Sequence, residues 1–207
     1  MKLYYAEILN ARKVCAVAKY LDAPVEYVRI DMRSGELRSP AFLAINPNGK
    51  VPALVDGDIK LWESSAIMAY LSRAAKSYLW PDDDRQFEVL RWLSWDAHHF
   101  GRQAGELYFQ NIVKPMFGLG EPDAAAVDQA TGDFRKYARV LDDHLTDRGY
   151  LVGNTLTIAD FVVAASLPYA GQARIPLRDF SEIERWHARL NELPAWREPY
   201  PAIKAAA

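Results

Sequence analysis

Residues 46–54, Asn46-Pro47-Asn48-Gly49-Lys50-Val51-Pro52-Ala53-Leu54, decide the fold together with the Glu63-Ser64 pair that follows a short predicted strand. Pro52 has no N–H to give to a sheet ladder, and it biases Val51 toward an extended backbone. We therefore expect Val51 to offer its own N–H and C=O to an extended peptide, as an exposed sheet edge does. Glu63-Ser64 opens a predicted helix, where a carboxylate, a hydroxyl and free helix N–H groups suit an amino-acid head group. Together the two segments predict a binding site for a tripeptide.

Strands and helices alternate through the first eighty residues. Periodicity and turn residues predict strands at 3–5, 25–30, 51–54 and 59–62, and helices at 12–21, 40–45 and 64–75. Asp56-Gly57-Asp58 predicts a hairpin between the last two strands, because aspartate and glycine tolerate positive φ. The order βαβαββα is the thioredoxin-like arrangement, so we predict an α/β domain over residues 1–78.

The rest of the chain is predicted to be helical. Residues 79–84 contain Pro81 and three aspartates, which is typical of a linker that leads into a helix, and we place an all-helical domain at 85–207. A long helix from about Asp84 carries an apolar stripe of Leu93, Ala97, Phe100, Ala104 and Leu107. Residues 124–145 and a segment that begins at Ser181 predict further amphipathic helices. Thr157 and Asp160 form a capping box before an apolar, buried helix at 161–167.

Composition limits the classes of function. The 207 residues are 50% hydrophobic with a net charge of −2, which gives no electrostatic case for binding nucleic acid. No segment reaches the roughly 20 apolar residues that span a bilayer, and the N-terminus leads directly into a strand, so we expect neither membrane insertion nor a signal peptide. Cys15 is the single cysteine, so the chain cannot form an internal disulfide. We expect a cytoplasmic protein, and no metal, because His98 and His99 have no partner at ligand spacing.

The segment N-P-x-G-K-V-P followed by E-S resembles the N-terminal domain of the soluble (cytosolic) glutathione transferases, and the Thr157–Asp160 box resembles that family's folding motif. The resemblance implies a cis peptide bond at Pro52 and glutathione as the substrate that binds along Val51. It implies that Glu63 and Ser64 hold the γ-glutamyl end, while Lys50 and Arg38 reach the glycyl carboxylate. It also implies a homodimer.

A conjugating enzyme must lower the pKa of the glutathione thiol by about two units, which is roughly 2.7 kcal/mol of preferential stabilisation of the thiolate. The turn at residues 8–14 reads Ile8-Leu9-Asn10-Ala11-Arg12-Lys13-Val14. It is similar to the S/T-P-N-x-x-K-V/I pattern of bacterial nu-class and related serine-type transferases, and the chain also resembles the theta- and phi-like classes. Ile8 stands in place of the family's hydroxyl. We therefore predict that Asn10 contacts the sulfur, although an asparagine there could instead only cap the helix. Tyr5 is the rival donor, and Cys15 is expected to pack as a buried hydrophobe.

We expect the second substrate, a small hydrophobic electrophile, to lie between the domains. A flanking stripe of the long helix provides the candidate wall of that site: Trp95, His99, Gln103 and Tyr108. Ordinary core packing is the alternative role for these residues. The predicted function is glutathione transfer to that electrophile. Two alternatives stay open: a glutathione-dependent disulfide-bond reductase, which Asn10 favours, and a non-catalytic binding or regulatory protein on the same scaffold, which Ile8 favours.

Overall fold

The computed structural model describes residues 1–202. The chain divides into two compact units: one contains residues 1–80 together with those from Glu192 onward, and the other contains residues 81–191. The strands are β1 Lys2–Tyr5, β2 Glu26–Arg29, β3 Ala53–Asp56 and β4 Ile59–Trp62. The α-helices are α1 Leu9–Tyr20, α2 Pro40–Leu43, α3 Ser64–Ala74, α4 Arg85–His98, α5 Phe100–Tyr108, α6 Lys114–Phe117, α7 Ala124–Leu145, α8 Ile158–Val163, α9 Ala170–Ala173, α10 Ser181–Leu190 and α11 Pro194–Arg197.

The first unit contains a four-stranded mixed sheet in the order β2-β1-β3-β4. Strand β1 pairs parallel to β2 and antiparallel to β3, and β3 pairs antiparallel to β4. Helices α1 and α3 pack together, and the middle of α1, residues 11–18, is buried on every side. The predicted thioredoxin-like βαβαββα domain, followed by a helical domain, is therefore confirmed.

The sheet positions the predicted site because the ends of its strands lead into that site's loops. The end of β1 leads through a tight turn, in which the Ile8 N–H donates to the Ala6 carbonyl at 2.8 Å, into the start of α1. Strand β3 begins only at Ala53, just after the Val51-Pro52 segment. The β3–β4 hairpin then returns the chain to the first turn of α3.

The second unit is helical, and its best-defined local motif is the predicted capping box. Thr157 is the N-cap of α8, and the reciprocal bonds between Thr157 and Asp160 are both present. Every residue of α8 is buried, including Asp160, the one charged residue among its apolar neighbours. The helix ends at Val163, earlier than the predicted 167.

The predicted single helix from Asp84 is interrupted at His99, whose backbone leaves helical geometry with φ −127° and ψ −90°. The predicted stripe is wrong in its first half, within α4: Leu93 is only half-buried and Ala97 is exposed. The α4 residues that are buried instead lie on a different line along the helix: Val89, Trp92 and Asp96. The second half of the stripe, on α5, is buried as predicted.

The Asp96 carboxylate lies against the first turn of α5, just after the break. A side-chain carbon added at Gly101 would lie 2.5 Å from either Asp96 carboxylate oxygen. The buried carboxylate therefore occupies the space beside the first turn of α5, which only a glycine leaves open. Periodicity alone cannot locate such a break, because a short buried acid looks like any polar interruption of an apolar stripe.

The C-terminal end groups with the first unit, whereas the predicted division assigned residues 85–207 to one helical domain. The reason is visible at Trp196, which is fully buried and accepts a hydrogen bond from Arg12 of α1 through its carbonyl oxygen. Residues 203–207, the end of the predicted helical domain, lie outside the described residues. Within residues 1–202, none of the helices has both the length and the apolar character needed to cross a membrane.

Candidate functional site

The loop before β3 is held in shape by one buried amide. Asn46 is 3% exposed, and its Nδ2 donates to the Lys50 carbonyl at 2.7 Å. Its Oδ1 accepts from the Asn48 N–H and from Asn48 Nδ2, both at 3.0 Å. Both polar atoms of Asn46 are thus used within the loop, and the carbonyl that precedes Val51 is fixed in direction.

Gly49 brings a second chain segment against this loop. Its φ of +59° favours glycine, and a Cβ there would lie 2.8 Å from Arg38 Nη1 and 2.9 Å from the Leu37 carbonyl oxygen. Arg38 is exposed, and its guanidinium lies against Gly49, the residue that precedes Lys50 in the loop. It therefore flanks the predicted site without lining its cavity.

Val51 lies outside the sheet ladder. The Val51–Pro52 peptide bond is cis, as the resemblance implied, and the β1–β3 and β3–β4 registers both begin at Ala53. The ladder therefore leaves the Val51 N–H and C=O to another partner. An extended peptide could take both, which is the way an added strand binds.

Glu63 adopts a backbone conformation that non-glycine residues rarely occupy. It is the N-cap of α3, with φ 70° and ψ 118°, and its carboxylate does not cap the helix. A residue in such a sparsely populated region costs on the order of 1–3 kcal/mol, and such strain concentrates at binding sites. Ser64 follows as the first residue of α3 and is buried. The strain leaves an exposed carboxylate next to the hydroxyl and the free N–H groups of the first helical turn.

Asn10 does not cap α1, contrary to the alternative in which capping is its only role. Ile8, not Asn10, is the N-cap of α1, and no side chain caps this end. Asn10 is the second residue of the helix and is exposed. Its amide is therefore not engaged in capping and remains available to a ligand.

These parts meet around one cavity of about 110 Å³ in the first unit. Its lining contains six of the predicted site residues and two that the sequence reasoning missed: Asn10, Lys50, Val51, Pro52, Glu63, Ser64, and Asn46 and Asn48. No ion pair in residues 1–202 involves Lys50 or Glu63, so the cavity carries a cation and an anion that are not neutralised by a partner side chain. Both asparagines belong to the Asn46-Pro47-Asn48-Gly49 turn, whose turn-forming residues indicate a loop but not that two of its side chains line a cavity.

Tyr5 and Cys15 do not line this cavity. The Tyr5 ring is buried and contacts the rings of Tyr27 and Tyr200, and burial raises the pKa of its phenol. Cys15 is fully buried within α1, and burial raises the pKa of its thiol to about 12. A thiol with that pKa is almost entirely protonated at neutral pH, so Cys15 is the inert packing residue that was expected.

The predicted second-substrate residues all lie in the helical unit, and the described ring contacts of Trp95, His99 and Tyr108 are with other aromatic side chains of that unit. Trp95 and His99 both contact Tyr137 of α7, at ring-centroid distances of 6.4 and 4.8 Å. Tyr108 contacts Tyr169, is 7% exposed, and has its pKa raised to about 12 by burial. Gln103 is half-buried on α5. Their role toward a substrate stays a prediction.

No group of three or more His, Cys, Asp or Glu side chains in the described part of the chain is arranged to hold a metal ion. The residues that line the cavity present amide, hydroxyl, carboxylate and ammonium groups to a ligand.

The chain is similar to known proteins along most of its length. Family models described as "Glutathione S-transferase, N-terminal domain" and "Glutathione S-transferase, C-terminal domain" match residues 1–73 and 97–194. Glutathione S-transferase 3 of Zea mays is 34% identical, covering 98% of this chain and 94% of its own length.

Solved structures agree with the sequence relatives. Glutathione S-transferase I from maize, in complex with an atrazine glutathione conjugate, has a TM-score of 0.87 and 29% identity, with 96% of this chain and 95% of that chain covered. A glutathione transferase family member from Pseudomonas fluorescens, with two glutathione bound, has a TM-score of 0.85 and 25% identity, with 96% and 91% covered.

Proposed function

This chain belongs to the glutathione S-transferase family and is a glutathione transferase, and we propose that it binds reduced glutathione in the cavity of its first unit and transfers the sulfur to a small apolar electrophile. The observation that carries the proposal is that one cavity is lined by Asn10, Lys50 and Glu63 together with the cis Val51–Pro52 segment. Those groups match the thiol, the two charged ends and the backbone of a tripeptide.

The charges give the proposed ligand a direction. Glu63 and Ser64 receive the amino-acid head group of the γ-glutamyl end, because a carboxylate binds its ammonium and the start of α3 binds its carboxylate. Lys50 binds the glycyl carboxylate, with Arg38 beside the same loop as a second cation. The Val51 N–H and C=O pair with the backbone of the cysteinyl residue. A cavity of about 110 Å³ is smaller than the 300 Å³ or more of typical ligand pockets, so much of the tripeptide lies along the open surface of this cleft.

Catalysis in this proposal is stabilisation of the thiolate combined with proximity. The Asn10 amide donates to the sulfur, and the free N–H groups at the start of α1 add a favourable dipole. Ile8 supplies no hydroxyl, so the site lacks one charge-assisted hydrogen bond, worth about 1.5–3 kcal/mol, that a serine or threonine would provide. We therefore expect modest turnover. The electrophile binds near Trp95, His99, Gln103 and Tyr108, and no protein nucleophile or metal is involved.

We also propose a subclass for this enzyme within the glutathione transferases. The turn at residues 8–14 resembles bacterial nu-class and related serine-type enzymes, whereas the full-length relative described above is a plant enzyme. Asn10 without a preceding hydroxyl supports an asparagine-dependent variant of the serine-type group.

Disulfide reduction is the second candidate, and one observation favours it. The structurally similar protein from Pseudomonas fluorescens holds two glutathione molecules. In this alternative the thiolate of bound glutathione attacks the glutathione sulfur of a mixed disulfide: oxidised glutathione forms, and the displaced thiolate takes up a proton.

Calorimetry and a paired assay test the proposal. Titration with reduced glutathione at up to millimolar concentration is expected to release or absorb heat with a one-to-one stoichiometry per chain. Conjugation of a chlorodinitrobenzene, measured beside thiol release from a glutathione mixed disulfide, then separates transfer from reduction. A titration without heat would refute glutathione binding. Binding without either activity would favour the non-catalytic alternative.

We also propose that the protein is a homodimer in the cytoplasm. Helix α4 leaves Phe87 and Leu90, one turn apart, 71% and 49% exposed, which is an apolar surface that a second subunit can cover. Light scattering after gel filtration is expected to give twice the 23.4 kDa chain mass. The Phe87→Asp, Leu90→Asp double variant should run as a monomer, while the exposed-site control Asp128→Ala should not change the mass.

A further inference from the structure

The C-terminal residues 194–200, which we call the C-terminal strap, are attached to α1 at several points. The Arg12 guanidinium donates to the Trp196 carbonyl oxygen and lies 5.1 Å from the centroid of the Trp196 ring. Trp196 is fully buried and Arg12 is 7% exposed. Lys19, at the far end of α1, donates to the Glu198 carbonyl oxygen. A segment with a buried aromatic anchor and contacts at both ends of a helix is a fixed part of the first unit.

Tyr200 extends these contacts to the residues just before α1. Its ring stacks on the Tyr5 ring, with a centroid distance of 5.8 Å and an interplanar angle of 19°. Its hydroxyl donates to the Ile8 carbonyl oxygen at 3.5 Å, near the outer limit of a hydrogen bond. Tyr5 is the last residue of β1, and Ile8 is the N-cap of α1. Tyr200 therefore contacts both ends of the turn that leads into the helix.

The strap contacts surround Asn10 in sequence, at residues 5, 8 and 12, while Asn10 itself stays exposed and lines the cavity. No side chain caps this end of α1, so the turn lacks the local restraint that a serine, threonine or aspartate N-cap would give. The strap supplies a restraint from the other end of the chain. Because a misplacement of about 1 Å can cost on the order of a hundredfold in rate, such a restraint matters for a donor aimed at a sulfur.

We infer that the C-terminal strap holds the β1–α1 turn in the geometry that aims Asn10 at the glutathione thiol, and that Tyr200 is a positioning residue for thiolate formation. This inference rests on the proposed function, because it assumes that glutathione binds in the cavity lined by Asn10. It adds that residues 1–80 do not form a complete thiol site without the strap.

The test compares Tyr200→Ala with Tyr200→Phe in the full chain. Tyr78→Ala serves as the matched control, because Tyr78 is in the same unit and is 72% exposed. The ultraviolet absorbance of the thiolate, followed as a function of pH, gives the pKa of bound glutathione. Calorimetry gives its dissociation constant, and steady-state kinetics give kcat and KM. Tyr200→Leu, which keeps an apolar side chain at the stacking position, replaces Tyr200→Ala if the alanine variant does not fold.

Tyr200→Ala is expected to reduce the thiolate fraction of bound glutathione about threefold below the thiol pKa, and kcat by a similar factor. The dissociation constant and KM for glutathione should change less than about twofold, because Lys50, Glu63 and Ser64 are not touched by the strap. Tyr200→Phe keeps the ring stack and should lie close to the wild type, and Tyr78→Ala should match it. If Tyr200→Ala lowers thermal stability but leaves the thiol pKa and kcat unchanged, the strap is only structural and the inference is refuted. If the wild type itself binds no glutathione, the proposed function fails and the inference fails with it.

Discussion

The buried carboxylate of the helical unit and the polar cleft of the first unit show two opposite uses of polar side chains. Asp160 is fully buried and accepts four hydrogen bonds: from the Leu151 N–H at 3.0 Å, the Thr157 N–H at 2.9 Å, the Thr157 hydroxyl at 3.2 Å and Trp186 Nε1 at 3.1 Å. Every donor that faces it belongs to the same unit. Asp160 thus joins the start of α8, the segment before it and α10 into one structure.

The cleft uses similar groups without satisfying them internally. Lys50 and Glu63 are exposed, take part in no ion pair within residues 1–202, and lie beside a strained backbone at Glu63. Asn10 is next to an uncapped helix end without capping it. A polar group whose partners are inside the protein contributes to stability, whereas one whose partners are missing is available to a ligand. Substitutions in the two regions should therefore separate stability from binding.

Asp160→Ala should produce the largest effect on stability of any substitution considered. It leaves four buried donors without their acceptor, which we expect to cost about 3–5 kcal/mol of the free energy of unfolding, measured with urea. Asp128→Ala, on the exposed side of α7, is the matched control and should change stability by less than about 0.5 kcal/mol. The affinity of the folded Asp160→Ala protein for glutathione should stay within about twofold of the wild type. A large loss of affinity would contradict the separation of the two regions.

The pH dependence of stability should also reveal Asp160. Burial raises the pKa of its carboxyl from the ordinary 3.8 to about 6, against the opposing effect of its hydrogen bonds. The native state therefore binds this proton more tightly than the unfolded chain does. The stabilisation is fully present below pH 3.8 and is lost as the pH rises to about 6, by roughly 3 kcal/mol in total.

Asp160→Asn provides the reference for that measurement, because an amide does not titrate. The difference in the free energy of unfolding between the wild type and Asp160→Asn should decrease from pH 4 to pH 6 and stay constant above that range. A difference that increases over the same interval would mean that the four hydrogen bonds outweigh burial and that the native pKa is lowered.

The same contrast explains what the sequence could predict. The Thr157–Asp160 box is a local pattern with local partners, so its capping bonds were readable from the sequence alone. The carboxylate's bonds to Leu151 and Trp186 were not, because their partners come from distant parts of the chain. Likewise the Val51–Pro52 and Glu63–Ser64 segments were recognisable, whereas the role of Asn46 as the brace of that loop depends on side-chain directions that periodicity does not encode.

Two larger features also could not be predicted from the sequence. The break at His99 lies beside a close approach of the Asp96 carboxylate to Gly101, a contact that periodicity does not encode. The attachment of the C-terminal residues to the first unit depends on contacts between distant parts of the chain, such as the buried Trp196 ring beside Arg12. Both depend on tertiary contacts that a local helix pattern does not contain.

Glu63→Gln should weaken glutathione binding while leaving stability nearly unchanged. It removes the carboxylate that we propose binds the γ-glutamyl ammonium and keeps the side chain's size. We expect the dissociation constant from calorimetry to rise about 10- to 150-fold, the equivalent of about 1.5–3 kcal/mol. Asp58→Asn, an exposed acid in the neighbouring hairpin, is the control and should bind like the wild type. Unchanged binding by Glu63→Gln would assign the strained conformation at Glu63 to folding alone.

Asn10→Ala has the smallest expected effect of these substitutions. It tests whether a polar residue at the start of a helix is a capping residue, as Thr157 is in the helical unit, or a catalytic one. Because Ile8 is the N-cap of α1, removing the Asn10 amide should cost less than about 0.5 kcal/mol of stability, where loss of a true cap costs about 1 kcal/mol. Loss of a donor to the sulfur should lower kcat about tenfold, which is about 1.4 kcal/mol of transition-state stabilisation, and raise the pKa of the bound thiol. Asn10→Asp sharpens the result, since a carboxylate beside the thiolate should raise that pKa further than alanine does. If turnover and thiol pKa are both unchanged in Asn10→Ala, Asn10 does not act on the sulfur, and Tyr5→Phe becomes the next variant to measure.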